Sequence, residues 1–211
     1  MLLVMVRNKY RINKILNLIP AGVKSVLDIG SRGEIFNKKY NTTTLDILED
    51  SDIKQDLNKD QKLHIKDDKF DLVVLNQILE HLPNVEKIVD ESKRVSGRYI
   101  FVGLPNEMVY SMRLKFLFGI HEQSGYLLFG HKHRFTIKEI EKFILKFFGK
   151  YEKRVYFGAF TGASVLPWFL TDWLAKRMPT LFAKEVYYLI RVKDDNLSGK
   201  KKNNELSSEV L

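Results

Sequence analysis

The chain has 211 residues, 45% of them hydrophobic, which is enough to bury a core without covalent staples. It contains no cysteine, so a disulfide framework and a cysteine nucleophile are both excluded. The 35 Lys and Arg residues outnumber the 26 Asp and Glu and give a formal net charge of +9, which suits an anionic partner: nucleic acid, a phosphorylated glycan or lipid carrier, or a membrane surface.

Taken in chain order, Met1 to Val6 is apolar but too short for a signal-peptide core, and no later run reaches membrane-spanning length. The cytoplasm is therefore the expected location, with the inner face of the membrane as a site of peripheral contact. A leading helix is expected from about Lys9 to Leu18. The aliphatic run near residues 24–29 predicts a first strand, after which Gly30 and Gly33 supply a turn where backbone can lie close to a ligand. Asp28 sits inside that strand. A carboxylate there is costly unless a hydrogen bond or a cation satisfies it. A second strand, 42–46, ends in Asp46, eighteen positions after Asp28, where an acid can accept both hydroxyls of a ribose. Taken singly, Asp28 and Asp46 also fit a structural turn residue and a solvated surface acid.

Strands at 71–75 and 98–103 flank a helix from Val85 to Val95, and this strand–helix alternation implies a largely parallel sheet covered on both faces. An amphipathic helix runs from about Ile137 to Phe148, opened by a capping box between Thr136 and Glu139. Tyr151 to Phe157 and Glu185 to Val192 form a last antiparallel pair of strands, separated by a helical insertion. From about Asp194 to Leu211 the chain is polar and lacks apolar periodicity, so it is expected to be disordered.

These motifs together resemble the class I S-adenosylmethionine-dependent methyltransferases, in particular the branch called methyltransferase domain type 11, over roughly residues 22 to 193. The resemblance rests on Val26-Leu27-Asp28-Ile29-Gly30, on Asp68-Lys69-Phe70-Asp71-Leu72-Val73-Val74 with Leu79-Glu80-His81-Leu82-Pro83, and on Tyr99 to Asn106. It implies an α/β Rossmann-like fold: a mostly parallel seven-stranded sheet, helices on both faces and an antiparallel last strand. One domain over 1–193 is expected, with substrate-side segments at 108–136 and 159–184.

It also implies S-adenosyl-L-methionine (SAM) as cofactor, held by Asp28, Gly30, Ser31, Gly33, Asp46, Ile47, Asp56, Leu57 and Asn76. Asp46 would take the ribose, Asp56 and Leu57 would flank the adenine, and Asn76 would help position the methionine end. Family members usually carry Gly-x-Gly-x-Gly after the first strand, whereas Arg32 stands here at the second glycine. Its side chain either crowds the methionine half of the cofactor or points outward.

SAM brings its own leaving group, so methyl transfer needs mainly an acceptor atom held in line, with a base where the acceptor must lose a proton. The candidates are His81, just after the fourth strand, and His133, in the His131-Lys132-His133 segment before the capping box. A loop-capping role fits His81 equally. His121 and His131 are expected to line the acceptor side. A zinc site is disfavoured, because His-x-His supplies two ligands and no cysteine completes the set. The absence of cysteine also removes carbon-5 methylation of cytosine.

The expected reaction is methyl transfer to an oxygen or nitrogen of a small-molecule or glycan-type acceptor, anionic or lipid-linked in some forms. The aromatic segment at 108–129 and the Pro105-Asn106 strand end resemble methyltransferases of surface-polysaccharide biosynthesis. Leu166 to Arg177 predicts an aromatic helix with a basic end that suits either a bilayer interface or packing on the domain. An RNA or protein methyltransferase and a non-catalytic scaffold are the rival readings. Nucleic acid is disfavoured by the absence of an Asn/Asp-Pro-Pro-aromatic motif, since Asn76-Gln77-Ile78-Leu79 stands in its place.

Overall fold

The computed structural model describes residues 2–30, 35–37, 39–119, 132–158 and 167–192, with the backbone alone for 2–7 and 168. Its strands are β1 (Ser25–Ile29), β2 (Asn41–Asp46), β3 (Ile53–Lys54), β4 (Phe70–Asn76), β5 (Ser96–Pro105), β6 (Lys153–Gly158) and β7 (Ala183–Arg191). They form a seven-stranded sheet in the order β3-β2-β1-β4-β5-β7-β6. The first five pair in parallel, while β7 runs antiparallel to both β5 and β6.

The stretches 72–75 of β4 and 99–102 of β5 are apolar and buried throughout because both faces of the sheet are covered. Leu27, Val73, Leu75, Ile100, Val102 and Tyr188 face a core closed by α2 (Val85–Val95) and α4 (Ile137–Phe148). Val26, Leu72, Val74, Phe101, Tyr187 and Leu189 alternate with them and face the core closed by α1 (Leu2–Leu16) and Phe36. The side-chain period of two thus separates two cores across one sheet. The Thr136 hydroxyl accepts the Glu139 N–H and the Glu139 carboxylate accepts the Thr136 N–H, which is the expected capping box.

The leading helix begins earlier than predicted, because Leu2 to Val6 continue its turns, and it ends at Leu16. Strand β3 has only two residues and no readable periodicity. Three shorter helices stand at the carboxyl end of β5 and the amino end of β7: α3 (Tyr110–Leu117), α5 (Trp168–Arg177) and α6 (Pro179–Phe182). Among the described residues no helix is long and apolar enough to cross a membrane.

Candidate cofactor and acceptor site

Strand order reverses at β1, which has β2 on one side and β4 on the other. In an open α/β sheet the crevice beyond the carboxyl ends of such strands is the ligand site. The tip of β1 shows why a glycine stands there. Gly30 has φ +79, and a Cβ on it would lie 2.6 Å from Ile78 Cδ1, so the chain leaving β4 passes directly over it. Its N–H donates to the Leu45 carbonyl at 2.8 Å and ties the tips of β1 and β2 together. Asp28 is completely buried one turn of the pleat below.

Asp46 ends β2. Its Oδ1 accepts the Ile47 N–H at 2.6 Å and its carbonyl accepts the Gln55 N–H at 2.9 Å, which joins it to the segment after β3. Ile47 is 54% exposed beside it, while Leu57 is buried. The Asn58 N–H donates to Asp56 Oδ1 at 3.0 Å and holds that carboxyl below the ordinary aspartate range. An acid, an exposed aliphatic face and a second acid are thus gathered at the β2–β3 tips, a set suited to a ribose and an adenine.

At the tip of β4, Asn76 pairs with Gly103 on β5. Asn76 Oδ1 is buried without a hydrogen-bond partner among the described residues. The next residue, Gln77, adopts a left-handed backbone with φ +56, donates its N–H to the Gly103 carbonyl at 2.9 Å, and also buries its Nε2 without a described partner. Left-handed non-glycine residues and unsatisfied buried amides concentrate where a ligand supplies what is missing. An orphaned acceptor at this place fits the ammonium of a bound amino-acid moiety. The residues present therefore fit SAM.

The chain then makes a short turn, Leu79–His81, with Glu80 buried. The Glu80 carbonyl accepts the N–H of Lys132 at 2.8 Å and of His133 at 3.1 Å, so the two predicted histidines, His81 and His133, are brought to one place. His133 Nε2 lies 3.0 Å from the Leu82 carbonyl. A carbonyl only accepts, so this nitrogen carries the proton and Nδ1 alone is left to take another. Lys132 Nζ donates to Asn58 Oδ1 at 2.9 Å and links this segment to the turn after Asp56.

Past β5, Asn106 ties the strand end to the start of β7: its Nδ2 donates to the Ala183 carbonyl at 2.7 Å and its Oδ1 accepts the Met108 N–H at 3.1 Å. Beyond it lies a hollow of about 210 Å³ whose lining includes Glu107, Met108, Phe116, Arg134 and Phe135. Ser31, Gly33, Arg32, His121 and His131 lie outside the described residues.

Residues 46–182, more than half of the chain, match the family described as methionine biosynthesis protein MetW. The chain belongs to the MetW family. A search of curated protein sequences finds no match. Among solved structures, this MetW-family chain is similar to a SAM-dependent methyltransferase from Archaeoglobus fulgidus, at 19% identity and TM-score 0.52 over 87% of this chain and 93% of that one. It is similar also to a SAM-dependent methyltransferase from Thermotoga maritima, at 14% identity and TM-score 0.59 over 86% and 88%. A third, from Mesorhizobium loti, is 16% identical with TM-score 0.54 over 85% and 96%. The fold is that of the class I SAM-dependent methyltransferases.

Sequence reasoning did not single out Gln77 or Gly103. A glycine inside the aliphatic run Phe101-Val102-Gly103-Leu104 was the available signal, since an interior strand glycine marks a close approach. Nothing in the sequence marks Gln77, whose left-handed backbone shows only in the structure.

Proposed function

We propose that this MetW-family chain is a methyltransferase that binds SAM at the carboxyl ends of β1, β2 and β4 and methylates an oxygen or nitrogen of a small-molecule or glycan-type acceptor. The observation that carries this reading is the orphaned Asn76 amide oxygen at the tip of β4, on the strand beside Gly30, with Asp46 ending the neighbouring β2. When bound, the cofactor supplies a methyl group already activated on a sulfonium.

The chain's own residues bind and orient. Asp46 takes ribose hydroxyls, Ile47 and Leu57 flank the adenine, and Asn76 Oδ1 receives the ammonium of the methionine end. His81 serves as base where the acceptor must lose a proton. His133, with Nε2 engaged by Leu82, holds the turn that carries His81. The family's description favours acceptors of small-metabolite size, whereas the comparisons give the surface-polysaccharide expectation no support.

The test is calorimetric titration of S-adenosylhomocysteine, the product form of the cofactor. Asp46→Ala should weaken binding by about ten- to a hundredfold, the value of a charge-assisted pair of hydrogen bonds. No binding to the folded wild-type chain would overturn the proposal and favour the scaffold reading.

A further inference from the structure

The inward face of α5 is the polar one. Thr171, Asp172 and Ala175 are buried, and Asp172 Oδ1 accepts the Gly158 N–H at 2.8 Å, which pins the helix to the end of β6. The outward face carries Phe169 and Trp173, four residues apart and 62% and 54% exposed, followed by the exposed Lys176 and Arg177 one turn on. The Arg177 guanidinium lies 5.9 Å from the Trp173 ring.

Helix α3 has no buried residue and also presents apolar side chains outward. Leu114, Leu117 and Phe118 share one helical face, and Leu117 and Phe118 are 76% and 73% exposed. Of the nine large hydrophobic side chains exposed among the described residues, only Ile47 and Leu145 lie away from these helices and their immediate ends. Helix α3 packs beside α6, the short helix that directly follows α5 in the chain. Tyr110 of α3 packs on Phe182 of α6 at 5.2 Å between ring centroids, and Arg113 donates to the Thr180 carbonyl at 3.2 Å.

We propose that these exposed helix faces dock on an anionic lipid bilayer, with Trp173, Leu117 and Phe118 at the boundary between headgroups and acyl chains and Lys176 and Arg177 on headgroup phosphates. The partner is set by two properties. Aromatic and aliphatic side chains backed by cations are what an interfacial helix presents, and the net charge of +9 complements an anionic surface. The contact is peripheral and does not depend on the methyl-transfer reading.

The experiment is sedimentation of the full chain with vesicles of phosphatidylcholine alone, or with about a third phosphatidylglycerol. Binding to the mixed vesicles should be about tenfold or more tighter than to neutral ones and should weaken with added salt. The variant with Trp173→Ser, Leu117→Ser and Phe118→Ser should lose at least about tenfold in affinity. The variant with Lys176→Glu and Arg177→Glu should lose the preference for anionic lipid. It also tests the proposal if the serine variant fails to fold. No binding to either vesicle overturns the proposal. So does binding that both variants leave unchanged, which would assign the attraction to Lys200-Lys201-Lys202. Self-association abolished by Trp173→Ser, without vesicle binding, overturns it in favour of a second copy of the chain.

Discussion

Asn76 and Gly103 face each other across β4 and β5, and the amide oxygen of Asn76 lies in the space that a side chain at position 103 would need. A Cβ on Gly103 would be 2.5 Å from Asn76 Oδ1 and 2.6 Å from the Tyr187 ring. The glycine therefore sets where the Asn76 amide sits, and through it the floor of the candidate cofactor site.

Gly103→Ala should cost about 1–3 kcal/mol of stability, the usual penalty of overpacking. It should also weaken S-adenosylhomocysteine about tenfold, because Asn76 must move. Urea denaturation and calorimetry together check this. Lost stability with unchanged affinity would mean that Asn76 does not reach the ligand.

Arg11 anchors α1 to the sheet. It bonds to the Tyr187 hydroxyl and pairs with Glu185 at 2.9 Å, while Tyr187 donates to the same Glu185 oxygen at 2.8 Å. Burial is the largest single influence and opposes the Arg11 charge, but Glu185 and Tyr187 together outweigh it and keep the guanidinium ionised. Burial and the Glu185 charge push the Tyr187 hydroxyl well above its ordinary value, so it stays a donor at any working pH. Arg11→Met should destabilise the fold by about 1–3 kcal/mol and Tyr187→Phe by about 1 kcal/mol. The double variant should cost less than the sum, by about 1 kcal/mol, because the three groups form one network. Thermal denaturation of the four proteins measures it; strict additivity would contradict the network.

Asp71 joins the starts of β1 and β4. Its Oδ2 accepts the Lys24 N–H at 2.8 Å and the Ser25 N–H at 3.0 Å. Burial is the largest single influence and raises its pKa, but the Ser25 and Lys24 donors together with the Arg98 charge outweigh it and the net shift is downward. A depressed folded pKa contributes stability that is present above the unfolded value and lost as pH falls through the folded one. Asp71→Asn should therefore lower stability near neutral pH and flatten its decline between about pH 5 and pH 2. Denaturation midpoints across that range provide the check; parallel curves for the two proteins would exclude Asp71 as a contributor.

Much of this molecule was legible in the chain itself. The runs around Leu27, Val73 and Ile100 read as strands because burial on both faces demands continuous aliphatic residues. Thr136 and Glu139 marked the start of α4 because a capping box is local chemistry. Asp46 read as a candidate ribose ligand from its place at a strand tip, and Asp56 as a candidate adenine neighbour through a resemblance of motifs. Strand β3 did not read as a strand, since two residues carry no period, and the left-handed backbone of Gln77 did not read at all, since no local sequence signal marks it.

The sequence by itself determined the alternation of strands and helices, the separation of apolar side chains to two faces, and the placement of acids at strand tips. These follow from periods of two and 3.6 and from the desolvation cost of a carboxylate, all of which act over a few residues. Only the tertiary structure decided which distant groups meet: Asn76 over Gly103, the Glu80 carbonyl with Lys132 and His133, and Arg11 with Glu185 and Tyr187. Those contacts depend on strand order and register, which are set by the packing of the whole sheet and leave no mark on any single stretch of chain.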